Sequence, residues 1–172
     1  MNARAEENGM KCKRSTGLIV LILALALVPI TYAKKPSTAE GQRLWSPDLF
    51  SMVERLADGN AFYNGPAYAT WTGTFDGAST EDYVVVYHSS GFQWYMGEVM
   101  FVGTVDGITG TLVIKMQGRK VGEDWSGTWV IISGTGGLTN LHGQGTWSGP
   151  GFNPVPPFDP GVTSYVGRVH FK

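Results

Sequence analysis

From Ala67 onward apolar and polar positions alternate. Ala69, Trp71, Gly73 and Phe75 fall on one parity and Thr70, Thr72 and Thr74 on the other, as in an antiparallel strand with one face buried and a threonine ladder on the second. Segments of the same character follow at 83–88, 97–105, 111–117, 125–132 and 165–171, with a shorter one at 143–147. Their connections carry turn residues: Asp76-Gly77, Ser89-Ser90-Gly91, Asp106-Gly107 and Gly122. Asp-Gly is the strongest short hairpin signal among them. A run of hairpins with so little helix predicts an all-β meander, and closing it into a barrel removes its exposed edges.

Ahead of the strands the period changes. Ser46-Pro47-Asp48 has the composition of a helix start, and Leu49, Phe50, Met52, Val53 and Leu56 follow at helical spacing up to Gly59. This predicts one short N-terminal amphipathic helix covering an end or a side of the barrel. Residues 34–44 begin with the polar run KKPSTAEGQ and read as a flexible tether to a single domain over 45–172. Near the other end, the stretch 149–161 holds five prolines together with Phe152 and Phe158. Proline cannot donate to a sheet ladder, so this is a stiff loop. Its two rings either cover a barrel mouth or dock on the outside.

The first residues read as a targeting segment. Lys11, Lys13 and Arg14 precede the apolar run 17–30, and Thr31-Tyr32-Ala33 follows it, the three-part layout of a secretory signal with cleavage expected after Ala33. The alternative is an uncleaved anchor, although the run is shorter than the roughly 20 residues a span needs. Both place the folded part in a secreted or periplasmic location, and only the uncleaved form would contact a membrane, through this segment.

Composition narrows the function classes. The 172 residues include 24 glycines and only 16% charged residues, with a formal net charge of -1. Downstream of the apolar run Lys and Arg adjoin only as the pairs Lys34-Lys35 and Arg119-Lys120, so the basic footprint of nucleic-acid binding is missing. Cys12 is the one cysteine and lies upstream of that run; the exported part therefore has no disulfide, thiol nucleophile or thiolate metal site.

Three segments carry a family resemblance. They are VGTVDGITGTLVI from Val102 to Ile114, GTWVI from Gly127 to Ile131, and SGTGGLTNLHGQG from Ser133 to Gly145. Together with Gly73-Thr74-Phe75 and Ser79-Thr80-Glu81-Asp82-Tyr83 they resemble the DUF3224 family, which is similar in fold to the allene oxide cyclase barrel. The resemblance implies an antiparallel barrel of six to eight strands and carries over no activity. The third segment places flexible glycines around Leu138 and Leu141, which can anchor an irregular turn on the core. Strand-like segments on both sides of it exclude a dinucleotide cradle, which needs a following helix.

The candidate chemistry is sparse. His88, His142 and His170 lie on separate elements with no metal-binding spacing, so neither metal nor cofactor is expected. Glu98 shares its parity with Met100 and Val102 and is the one proton-transfer candidate: in a cavity, burial would raise its pKa, whereas at the rim or on a wet face it would be an ordinary carboxylate. The acid pairs Glu81-Asp82 and Glu123-Asp124 read as solvated groups beside turns. Trp71, Tyr83, Tyr87, Trp125 and Trp129 sit on parities able to face inward, where they either line a ligand site or fill a core. Trp94-Tyr95, just after a turn, suits stacking on a sugar. The leading expectation is a non-enzymatic barrel that binds a small apolar molecule in its lumen or serves as an envelope scaffold. The rivals are an enzyme, of cyclase or isomerase type, acting on a lipid-like substrate and a carbohydrate-binding module. The sequence leaves the oligomeric state open.

Overall fold

The computed structural model describes residues 35–152 and 159–172. The predicted targeting segment and Phe158 lie outside the described residues. Among the described residues nine strands form one antiparallel sheet: β1 (Ser37–Pro47), β2 (Val53–Ala57), β3 (Asn60–Gly73), β4 (Phe75–Tyr87), β5 (Gln93–Val105), β6 (Ile108–Val121), β7 (Asp124–Gly136), β8 (Leu141–Pro150) and β9 (Gly161–Phe171). From β3 to β9 each strand pairs with the next, and β1 pairs with both β9 and β3. These eight strands close a barrel, and the all-β barrel expected from the alternation is observed.

The first two strands replace two sequence expectations. No helix occurs among the described residues, and the supposed tether is itself β1. β1 pairs with residues Ala67 to Gly73 of β3 and β2 with Asn60 to Asn64, so the two lie end to end along one edge of β3. The start signal at 46–48 was real but local. Asp48 accepts hydrogen bonds from the Phe50 amide (3.0 Å) and the Ser51 hydroxyl (2.8 Å), closing a single turn between the strands. Continuing as helix would leave that edge of β3 unpaired, and sheet pairing overrides local propensity here. The apolar residues split accordingly: Leu49 and Met52 line a cavity in the barrel, while Phe50, Val53 and Leu56 are exposed.

A second correction concerns the first hairpin. The alternating run 67–75 is divided by a tight turn at Gly73-Thr74, where Gly73 has φ 102°. Asp76-Gly77 is not a turn but lies within β4, with Gly77 opposite Gly103 of β5. Asp106-Gly107 does form the predicted hairpin, both residues having positive φ, and Asp58-Gly59 forms another between β2 and β3. Leu138 and Leu141 are buried and pin the glycine-rich turn between β7 and β8 to the core.

One half of the barrel is filled. Trp71, Phe75, Phe101, Trp129 and Tyr165 pack around one another at centroid separations such as 5.2 Å for Phe75 and Tyr165 and 5.6 Å for Phe75 and Trp129. Glycines on the inner face make room for these rings. A Cβ at Gly145 or Gly167, directly opposite each other on β8 and β9, would overlap the Trp129 indole. Much of the high glycine content thus serves inner-face packing rather than turns. Tyr165 accepts a hydrogen bond from the Phe75 amide at 2.9 Å and donates to the Thr72 carbonyl at 3.1 Å, tying β9 to both flanks of the Gly73-Thr74 turn.

Candidate functional site

The other half of the barrel holds a cavity of about 510 Å³. Its walls carry the aromatic side chains of Trp45, Tyr83, Tyr95, Trp125 and Trp147, and Tyr63, Tyr87 and Phe152 border it as well. Trp45 meets Tyr83 and Phe152, each at 6.4 Å between centroids, and Tyr95 meets Trp125 and Trp147. Tyr63 and Tyr87 pack edge to face at 5.4 Å. The Tyr63 hydroxyl donates to the Glu54 carboxylate at 2.6 Å, which raises its pKa. Burial pushes the Tyr83 phenol up to about 12, and it raises Tyr87 as well.

Between this cavity and the filled half sits a buried charge pair. Arg43 of β1 donates through Nη2 to Oε2 of Glu81 on β4, and the Tyr95 hydroxyl donates to the second carboxylate oxygen, Oε1. Both charged residues are only 3% exposed. The guanidinium carbon lies 5.6 Å from the ring centroid of Trp45 and 5.5 Å from that of Trp71, so one indole of the cavity and one of the core flank it. Arg43 Nε has no hydrogen-bond partner among the described residues. Burial pushes the Glu81 carboxyl above its usual range, against the opposing pull of the Arg43 charge and hydrogen bond. Gly97 on β5 makes room for the arrangement, since a Cβ there would collide with Glu81 Oε1.

The residues picked out from the sequence divide between the two halves. Tyr83, Tyr87 and Trp125 line the cavity, whereas Trp71 and Trp129 are core residues of the filled half. Glu98 is excluded from the lumen: its parity faces outward, it is exposed, and it stands opposite Asp82 and Lys115 on the neighbouring strands. Tyr95 is 5% exposed and belongs to the interior, so Trp94-Tyr95 does not form one stacking surface. Phe152 packs at the cavity against Trp45. Among the histidines, His142 and His170 face each other across β8 and β9 with rings stacked at 5.8 Å, and His88 lies at the end of β4 against Phe92.

Sequence reasoning missed Arg43 and Glu81. Arg43 fell in the supposed tether, although Ala39, Gly41 and Arg43 share one parity there. Glu81 reads from the sequence as a solvated acid beside a turn, whereas it lies within β4. With β4 uninterrupted, Phe75, Ser79, Glu81, Tyr83 and Val85 form one buried face, which the alternation itself could have revealed.

The fold has a solved counterpart. The crystal structure of a protein with unknown function from the DUF3224 family of Shewanella oneidensis MR-1 matches at a TM-score of 0.59 and 16% identity, covering 80% of this chain and 98% of that one. At that identity the likeness concerns fold. None of the curated proteins matches the sequence. The family model described as "Protein of unknown function (DUF3224)" matches residues 53–150, more than half of the chain, and this protein therefore belongs to the DUF3224 family.

Proposed function

We propose that this is an exported barrel protein that binds one small, apolar molecule in the open half of its lumen. The observation that carries the reading is the cavity of about 510 Å³ walled by Trp45, Tyr83, Tyr95, Trp125 and Trp147 inside a barrel whose other half is filled. Its size falls within the range of sites that enclose a small ligand, and aromatic walls supply contact area with little rotamer entropy to lose. Export rests on the basic, apolar and small-residue order of residues 11–33.

Native and denaturing mass spectrometry of the protein recovered from its export compartment tests both parts. The expected result is a chain beginning after Ala33 that carries an added mass released on denaturation. Trp125→Ala should lose the adduct. A clean mass in the unmodified protein would overturn the binding reading, and a chain retained in the cytoplasm would overturn export.

A further inference from the structure

We infer that Glu81 makes the cavity select uncharged ligands, by neutralising Arg43, the charged side chain at the cavity's inner boundary. The inference rests on the binding reading above and adds the ligand's chemical class. Arg43 borders the cavity, whereas Glu81 lies behind it and reaches the cavity through its hold on the guanidinium and on the Tyr95 hydroxyl. The carboxylate spends one oxygen on Arg43 and the other on Tyr95, and the guanidinium is further enclosed by Trp45 and Trp71. An anionic ligand entering this space would have to compete with a counter-ion already in contact, and a cationic one would meet a carboxylate already paired. Either would bring a charge out of water without compensation, which is strongly unfavourable. A neutral ring system exchanges only apolar contacts with the surrounding indole and phenol rings. Glu81 is thus a specificity-determining residue that touches no ligand atom.

Three probes of one shape separate the possibilities by calorimetry on the full chain at neutral pH: naphthol, naphthalenesulfonate and naphthylmethylammonium. The expected order has naphthol at least tenfold tighter than either ion. A charged probe that binds as well as naphthol would overturn the inference. Glu81→Gln removes the counter-charge but keeps the shape, and it should narrow the gap between naphthol and the sulfonate at least tenfold while the ammonium stays excluded. An unchanged gap would show that Glu81 does not set the preference. Should that variant not fold, Glu81→Asp withdraws the carboxylate by one methylene and should give a smaller shift in the same direction, with no shift counting against the inference. If no probe binds, the adduct released in mass spectrometry decides: a neutral molecule supports the inference and an ion overturns it. Absence of any adduct removes the cavity-binding reading on which it rests.

Discussion

Trp125 and Trp129 lie on the same strand and face the same side of the sheet, yet they belong to different environments. Trp129 is 2% exposed, with Phe75 and Tyr165 against its ring and the glycines at 145 and 167 beneath it. Trp125 is half-buried at the wall of the cavity, with Tyr95 beside it. The difference lies in what stands across the lumen. In the filled half, rings from β3, β4, β5, β7 and β9 meet at the centre, over glycines that let them approach. In the open half the rings line the wall, and Arg43, paired with Glu81, lies between Trp45 on that side and Trp71 of the packed rings. A polar boundary divides one aromatic lining into a core and a chamber.

Truncating each indole gives the sharpest break in that comparison. Trp129→Ala is expected to cost about 3–5 kcal/mol, the range for deleting a large buried aromatic. Trp125→Ala borders space that is already empty and is expected to cost less than about 1.5 kcal/mol, because little new cavity forms. Urea unfolding of both variants measures the contrast, and equal losses would mean that the two halves are packed alike.

The boundary itself comes next. Glu81→Leu leaves the Arg43 charge buried without a partner and is expected to destabilise by about 3 kcal/mol or more. Combining it with Arg43→Met removes both charges, and the double variant should recover most of that loss, since apolar replacement of a buried ion pair is often neutral or stabilising. A double variant no more stable than the single one would show that the boundary depends on more than charge balance. A smaller effect is expected from Gly167→Ala, where the added methyl overlaps the Trp129 ring and the facing backbone at Gly145. About 1–3 kcal/mol is typical of such overpacking, and a thermal unfolding series reads it directly.

These contrasts also mark how far the sequence could be read. The strands from 97 onward were legible because alternation and Asp106-Gly107 agreed on the same register. Near Asp76-Gly77 the two signals disagreed: an apparent hairpin pair sat within a strand, since Gly77 is there for close approach to Gly103 and not for a turn. Residues 46–56 carried a helical spacing that reports two environments, a cavity wall for Leu49 and Met52 and solvent for Phe50 and Leu56. Of the aromatic residues chosen as ligand contacts, parity identified those facing inward but not their depth along the barrel. Depth depends on register between distant strands, which left Trp71 and Trp129 indistinguishable from Tyr83 and Trp125. The charge pair was hidden for the same reason: its members come from β1 and β4, which the sequence did not bring together.

The mildest test uses pH. Burial raises the Tyr83 phenol from its ordinary value of 10.0 to about 12, so the folded state holds this proton more tightly than the unfolded chain does. Between those values the native protein binds more protons than the unfolded one, and stability falls as pH rises through the interval. Below pH 10 the contribution is fully present. Phenolate absorbance followed during alkaline titration should therefore include a step at about 12, and Tyr83→Phe should remove that step while the raised steps of Tyr63 and Tyr87 remain. A ligand seated against Tyr83 would exclude still more water from the phenol and move that step further upward. Trp129→Ala changes the filled half and is expected to leave the position of the step unaltered as long as the barrel remains folded. If the step instead moved with the core variant and not with ligand, the phenol would be reporting the packed half, and the chamber would not be the separate compartment that the charge pair defines.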